Sequence, residues 1–359
     1  MKKLLLASVA VGGLAMVATP AHADIELEVG GYFKGYGVFV DQDESTGDDT
    51  VFDFVRDTEI HIGGETTLDN GLTIGTHFEF DVDQADGTEV DESYVYFSGD
   101  WGRVNFGGED GAGYLLQVAA PSADSNLDGL RQYVQPFATT GDLTAGFALD
   151  YDMDPTGKDD KLTYLSPVFS GFQLGATFTP DAGASSSLGG VAIDDDTAGV
   201  VQETWEVAFR YEGQFENVGV IAGAGYSHGS EEGDSATTDD LELWNAGLDL
   251  DIGAFGLGIA YLETNNGEDG TGATAGDTET MVVGADYTHG AFKFGVSWLN
   301  QEDEATSGVE YDRYTGGVNY EYGPGMSFRG SIQHLEQDNP TGTDDADGTA
   351  LLLGTQINF

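Results

Sequence analysis

Histidines, serines and acidic clusters are the residues here whose types can carry chemistry, and their spacing sorts the options. His61, His77, His228, His289 and His334 show no metal-like pairing along the chain. No Gly-x-Ser-x-Gly elbow occurs. The run Gly270-Thr271-Gly272-Ala273-Thr274-Ala275-Gly276 misses the dinucleotide spacing and lacks a strand–helix–strand context. Asp194-Asp195-Asp196 and Asp344-Asp345-Ala346-Asp347 can collect Ca²⁺, but no twelve-residue calcium loop fits. The sequence nominates no catalytic residue, no resident metal and no cofactor, only loosely held divalent cations at acidic loops. What remains is electrostatics. The chain has 12 Lys and Arg against 64 Asp and Glu, a net charge of −52. Such a surface repels nucleic acid and attracts cations. Acid-rich surfaces also serve plain solvation, so acidity alone is not a site.

The elements that must position these charges alternate with a period of two. Across residues 72–82 the even positions are Leu72, Ile74, Thr76, Phe78, Phe80 and Val82, and the odd ones Thr73, Gly75, His77, Glu79 and Asp81. Asp69-Asn70-Gly71 before them is a tight hairpin turn. No long stretch shows a 3.6 period. If apolar positions face lipid, Lys34, Arg210, Lys293, Arg313 and Arg329 all face inward, as do Glu59, Glu79, Asp81 and Asp91. A charge on the lipid face costs about 2–4 kcal/mol near the midplane, so this placement is partly forced. Arg56 alone falls on the outward parity.

Both chain ends point to a membrane barrel. Lys2 and Lys3, an apolar run from Leu4 to about Val17, and Ala21-His22-Ala23 read as a signal peptide over residues 1–23. The remainder, 24–359, then carries 10 basic residues against 64 acidic ones. No apolar run is long enough for a membrane helix. There is no cysteine, so an exported chain of this length must be stable through its core or its closed sheet. At the other end Leu351, Leu353, Thr355, Ile357 and Phe359 alternate with Gly354, Gln356 and Asn358. A soluble domain rarely ends on an apolar strand; a closed barrel needs a last strand to pair with the first.

Connections alternate between short and long. The short ones are 69–71, 99–102, 170–171, 214–217, 252–254, 290 and 323–325; the long, acidic and Gly/Ser/Thr-rich ones are 41–50, 84–90, 109–160, 181–202, 229–240, 265–278, 302–310 and 337–347. Seven short and eight long connections join sixteen strands, the pattern of an outer-membrane antiparallel β-barrel. A soluble β-sandwich or propeller is the competing all-β class. Aromatics at strand ends (Trp205, Tyr211, Tyr287, Trp298, Tyr320, Tyr322, Phe359) favour the barrel.

Three segments resemble the general diffusion porins of Gram-negative outer membranes, of the trimeric alphaproteobacterial type. Residues 60–72, from Ile60-His61-Ile62-Gly63-Gly64-Glu65 to Asn70-Gly71-Leu72, are similar to that family's second strand and first turn. Tyr94-Val95-Tyr96-Phe97-Ser98-Gly99-Asp100-Trp101-Gly102-Arg103-Val104-Asn105-Phe106-Gly107 resembles its strand–turn–strand leading into the third loop. Leu162-Thr163-Tyr164-Leu165-Ser166-Pro167-Val168-Phe169-Ser170-Gly171-Phe172 resembles the hairpin after that loop. The resemblance implies a homotrimeric, water-filled channel in outer-membrane lipid and lipopolysaccharide, delivered by the barrel assembly machinery through Phe359. It also implies that residues 109–160 fold inward as a constriction loop.

The pore charges depart from the family. Glu59 stands where an inward Arg is usual, Asp91 and Glu92 where Arg-Gln begins strand four, and Gly107, Gly108 and Glu109 where Gly-Arg-Gln opens the third loop. Glu109, Asp110, Asp124 and Asp128 are expected to face the arc of Lys34, Lys293, Arg313 and Arg329 across the lumen. The expected function is passive diffusion of small hydrophilic solutes and ions, with cations preferred and no chemistry. The alternatives are an 18-stranded substrate-selective channel with an extra hairpin at 143–149, a barrel enzyme acting on lipids, and a closed structural or adhesive barrel.

Overall fold

Period-two alternation along nearly the whole chain becomes a single closed sheet. The computed structural model describes residues 25–43, 52–84, 87–138, 143, 149–182, 200–232, 238–267, 276–304, 308–340 and 345–359. The first eight strands are β1 (Glu26–Gln42), β2 (Phe52–Thr67), β3 (Thr73–Gln84), β4 (Gly87–Gly99), β5 (Gly102–Gly108), β6 (Asp160–Leu165), β7 (Phe172–Thr179) and β8 (Val200–Phe215). The second eight are β9 (Val218–Glu232), β10 (Leu241–Ile252), β11 (Phe255–Thr264), β12 (Thr278–His289), β13 (Phe292–Asp303), β14 (Val309–Gly323), β15 (Met326–Asp338) and β16 (Ala346–Asn358). One short helix, α1 (Ala112–Leu115), follows β5. Each strand pairs antiparallel with its sequence neighbours and β1 pairs with β16. The fold is thus the sixteen-stranded antiparallel barrel expected. The closing seam runs from Tyr32↔Asn358 to Gln42↔Gly348, and Phe359 exchanges backbone hydrogen bonds with Gly31 at 3.0 and 3.1 Å. The two open edges, each a row of unsatisfied backbone groups, are thereby removed.

Outward positions are apolar because nothing else can meet hydrocarbon. Leu174, Val207, Phe294, Val296, Leu351 and Leu353 are all exposed on the outer face. Aromatic pairs ring both ends. Phe172–Tyr211, Phe255–Tyr287 and Phe292–Tyr320 lie 4.6–4.8 Å apart between ring centroids at the short-turn rim. Phe39–Phe52, Phe178–Trp205 and Trp244–Tyr261 lie 4.3–4.8 Å apart at the long-loop rim. Such girdles fit the two membrane–water interfaces.

All seven short connections fall where the turn residues place them. The connection read as long at 84–90 is corrected: β3 and β4 stay paired to Gln84↔Gly87. Register shifts between Phe78 and Phe80 and between Asp81 and Gln84 let the ladder continue past a break in the alternation. The signal peptide and most of the alternative 143–149 hairpin (144–148) lie outside the described residues, as do Asp194–Asp196 and Asp344.

The inner face departs most from expectation. Polar inward positions were expected, yet Val38, Leu262, Leu299, Leu335 and Leu352 are buried there against Leu127, Val134, Phe137, Leu143, Leu149, Tyr151 and Met153 of the β5–β6 connection. Each such fully buried side chain contributes about 1.5–3 kcal/mol relative to exposure, so this connection docks on the inner wall as a core. Its first part is laid in a track of glycines. A Cβ at Gly175 (β7) would stand 2.9 Å from Ala112 Cβ, one at Gly247 (β10) 2.5 Å from Val118 O, and one at Gly258 (β11) 2.6 Å from Pro121 Cδ. At Gly284 (β12) a Cβ would collide with the Pro121 carbonyl oxygen. Gly284→Ala is therefore expected to leave the barrel closed but to lift the connection off β12, giving a larger and noisier single-channel conductance than the parent. An unchanged trace would show that the track tolerates a methyl group.

Candidate functional site

The polar side of the interior lies between β2–β4 and the docked connection. Strand alternation aims Asp57 and Glu59 from β2 and Asp81 from β3 inward, and the register shift of β4 between the pairs Phe78↔Ser93 and Phe80↔Val90 brings Asp91 beside them. The connection brings Arg131, Tyr133, Asp154 and Lys158 opposite them. Together with Arg56 these residues line a cavity of about 530 Å³. Five carboxylates and three cations face it, so its walls are net acidic. Arg56, whose parity points outward, borders this lining from the part of β2 past Glu59↔Asp81, the last pair of β2 with β3.

On the wall the charges are chained. Tyr32 donates its hydroxyl proton to Glu59, Glu59 meets His61 at 2.9 Å, and Glu79 meets His77 at 2.7 Å. Lys34 pairs with Asp57 at 2.9 Å, its ammonium 3.6 Å from the Tyr32 ring centroid and 3.2 Å from that of Tyr133. A cation over two aromatic faces is held by their quadrupoles as well as by the carboxylate.

On the connection, Arg131 is clamped by Asp110 at 2.7 Å, Asp152 at 2.7 Å and Asp154 at 2.5 Å, over the Tyr114 ring at 4.2 Å. Lys158 bridges Asp110 at 2.5 Å and Glu92 of β4 at 2.7 Å. Burial alone would lower the Lys158 pKa, but Asp110 and Glu92 outweigh it and hold the ammonium above the ordinary lysine value. The two ends are tied together by Lys161, which donates to the Glu109 carbonyl at 2.6 Å and to that of Gly157. Gln117 stitches the connection to itself, donating to Tyr151 O and accepting from Met153 N, both at 2.7 Å. Arg131 and Lys158 are basic residues in a connection that otherwise reads as acidic, and that contrast was the signal available in the sequence.

The expected confrontation of loop acids and wall bases across the lumen is not what forms. Asp124 bonds Arg329 directly at 2.5 Å and accepts from the Tyr36 hydroxyl at 2.9 Å. Asp128 pairs with Arg313 at 2.8 Å, both side chains 1% exposed. Arg210 pairs with Glu212 and donates to the Gln117 carbonyl, both at 2.7 Å. These bases pin the connection to the wall because it lies against them rather than opposite them. Lys293 pairs with Asp286 at 2.9 Å on the neighbouring strand. Glu109 is buried and accepts from Asn105 Nδ2 at 2.6–2.7 Å. Of the thirteen residues nominated from the sequence, only Glu59, Asp81 and Asp91 line the cavity itself.

Burial outweighs the Asn105 hydrogen bonds and pushes the Glu109 carboxyl up from 4.5 to about 7. A carboxyl raised this way favours folding fully below its unfolded value, and that contribution is lost as pH rises through about 7. Glu109→Gln is expected to raise the unfolding temperature relative to the parent at pH 8, with the gap closing at pH 5. Equal gaps at both pH values would contradict a proton on Glu109.

A closed barrel with an apolar, aromatic-ringed outside and a charged, solvent-accessible inside is a membrane-spanning channel. The family model described as Gram-negative porin matches residues 7–340, and the chain belongs to that family, which places it in the outer membrane as a passive porin channel rather than an enzyme. Among solved structures it resembles the anion-selective porin from Comamonas acidovorans (TM-score 0.68, 17% identity, 94% of this chain and 100% of that one). It also resembles a mutant of the Rh. blastica porin (TM-score 0.59, 18% identity, 93% and 100%). A third is OmpT of Vibrio cholerae lacking loop L8 (TM-score 0.61, 15% identity, 93% and 99%). No curated protein matches the sequence significantly. At these identities the likeness is one of fold.

Proposed function

We propose that this porin passes small hydrophilic solutes and ions through a passage narrowed by residues 109–159, and that it prefers cations. The observation that carries this reading is the acidic excess of the cavity between β2–β4 and the connection, five carboxylates to three cations. Carboxylates set in a narrow, low-dielectric wall concentrate their field and favour cations. The Comamonas porin is described as anion-selective, but selectivity follows lining charges, and those here are this chain's own. The polarity is unusual in its layout: the strands supply most of the acid and the connection supplies Arg131 and Lys158. The reading needs no cofactor; divalent cations held loosely at acidic loops are compatible with it.

Stepwise conductance of the purified protein in a planar bilayer tests the channel. A flat trace would favour a barrel closed by its docked connection, and lipid turnover would favour an enzyme. Selectivity should weaken toward about 1 M salt, where screening shortens from about 10 Å to about 3 Å.

The same reading has the barrel as a homotrimer in lipid and lipopolysaccharide, assembled through recognition of Phe359. Phe39, Phe52 and Phe54 on β1–β2 and Leu351 and Leu353 on β16 form one exposed apolar face that suits a subunit contact. Unheated gel migration at trimer size supports it; migration at monomer size opposes it.

A further inference from the structure

We propose that His61, His77 and Glu79 form a binding site for a first-row transition-metal dication of the zinc class on the inner wall of β2 and β3. Spacing along the chain gives no hint of it, because the site is made by pairing. His61 lies directly opposite Glu79, and His77 is cross-strand from Gly63. All three side chains share the inward face of the ladder. His61 Nδ1 is 3.5 Å from Glu79 Oε1, and His77 Nε2 is 2.7 Å from the same oxygen. The three donor atoms lie within 4.8 Å of one another, and the two rings are 5.8 Å apart. A tetrahedral zinc ion with bonds of about 2.0–2.2 Å sets its ligand atoms about 3.3 Å apart. The donors thus stand within about 1.5 Å of that separation on two adjacent, paired strands.

The surroundings fit a metal better than a plain hydrogen-bond network. Glu59 Oε2 sits 2.9 Å from His61 Nε2, leaving Nδ1 turned toward Glu79. A carboxylate on the far nitrogen is the arrangement that orients a ligating imidazole and raises its basicity. Glu59 is itself held by the Tyr32 hydroxyl. His61, His77 and Glu79 are 29%, 27% and 18% exposed, so the fourth coordination position opens to water in the lumen. Two imidazoles and one carboxylate select zinc-class ions over Mg²⁺ and Ca²⁺, which take oxygen ligands. Glu79 also stands within ligating distance of Asp91 and Glu92. Metal occupancy would therefore offset part of the carboxylate charge beside the cavity and lower its attraction for other cations.

The test is equilibrium dialysis of the purified, folded barrel in detergent against Zn²⁺ with a large excess of Mg²⁺ to fill carboxylate-only sites. One Zn²⁺ per chain is expected to remain bound. His61→Ala and His77→Ala should each weaken it at least about tenfold, and Glu59→Gln about 10–100-fold, as loss of an orienting carboxylate does. His289→Ala, remote from the site, should leave it unchanged. Because the histidine variants can perturb the β2–β3 ladder, the parent protein is also loaded with Co²⁺. The intense visible bands of a four-coordinate nitrogen–oxygen site support the proposal. No Zn²⁺ retained under Mg²⁺, binding that survives the His61→Ala/His77→Ala double variant unchanged, or the pale spectrum of six-coordinate Co²⁺ would each overturn it.

Discussion

Arg313→Met is expected to destabilise the docked connection by about 3–5 kcal/mol, the usual effect of removing one partner from a buried ion pair. Arg313 is on the inner face of β14, 2.8 Å from Asp128, and it also donates to the Leu149 carbonyl at 3.2 Å. Both charged groups are 1% exposed, so water cannot replace the lost partner. Even in the intact pair, burial outweighs Arg313 and holds the Asp128 carboxyl above the ordinary aspartate value. Without the guanidinium, Asp128 must take up a proton or pull its segment off the wall. Single-channel recordings should show larger, flickering openings, while the sixteen-stranded ladder of the barrel persists. Replacing both partners, Arg313→Met with Asp128→Leu, should restore steady openings, because two apolar groups of similar volume leave no charge stranded. A single variant with recordings indistinguishable from the parent would mean that the pair does not hold the connection.

The second large effect is on selectivity. Asp57→Asn, Asp81→Asn and Asp91→Asn together remove three of the five carboxylates of the cavity and leave all three of its cations. Lys34, 2.9 Å from Asp57, loses its counter-charge in the same step. The lining then turns net basic, and the reversal potential in a salt gradient should cross to the anion-selective side. The conductance itself should persist, because Asn is close to Asp in volume. A reversal potential equal to the parent's would place the selectivity-determining charges elsewhere.

The barrel was legible because its rules are local. A lipid-facing position must be apolar and its neighbour faces the lumen, so strands such as 72–82 declare themselves, and turns such as Asp69-Asn70-Gly71 mark where they reverse. Closure, the pairing of β1 with β16, rests on the same alternation over residues 351–359. The interior was less legible. Leu299 follows Trp298, and Leu351-Leu352-Leu353 run together, so alternation there assigns no wet face. These are strands covered on both sides, by lipid outside and the connection inside, and such strands read as continuous apolar runs. Parity turns Arg313 and Arg329 inward, but their partners depend on the path of about fifty residues that carry no period. His61 and His77 were visible as residues and invisible as neighbours, because register rather than spacing brings them to Glu79.

An acidic lumen wall opposite a docked connection is expected to make the pore cation-preferring. This preference is tested most directly by the reversal potential of the unmodified protein in a planar bilayer under a KCl gradient at about 0.1 M, where the Debye length is about 10 Å. Stepwise openings with a cation-selective sign are expected. An anion-selective sign, or a membrane that never conducts, would contradict that expectation.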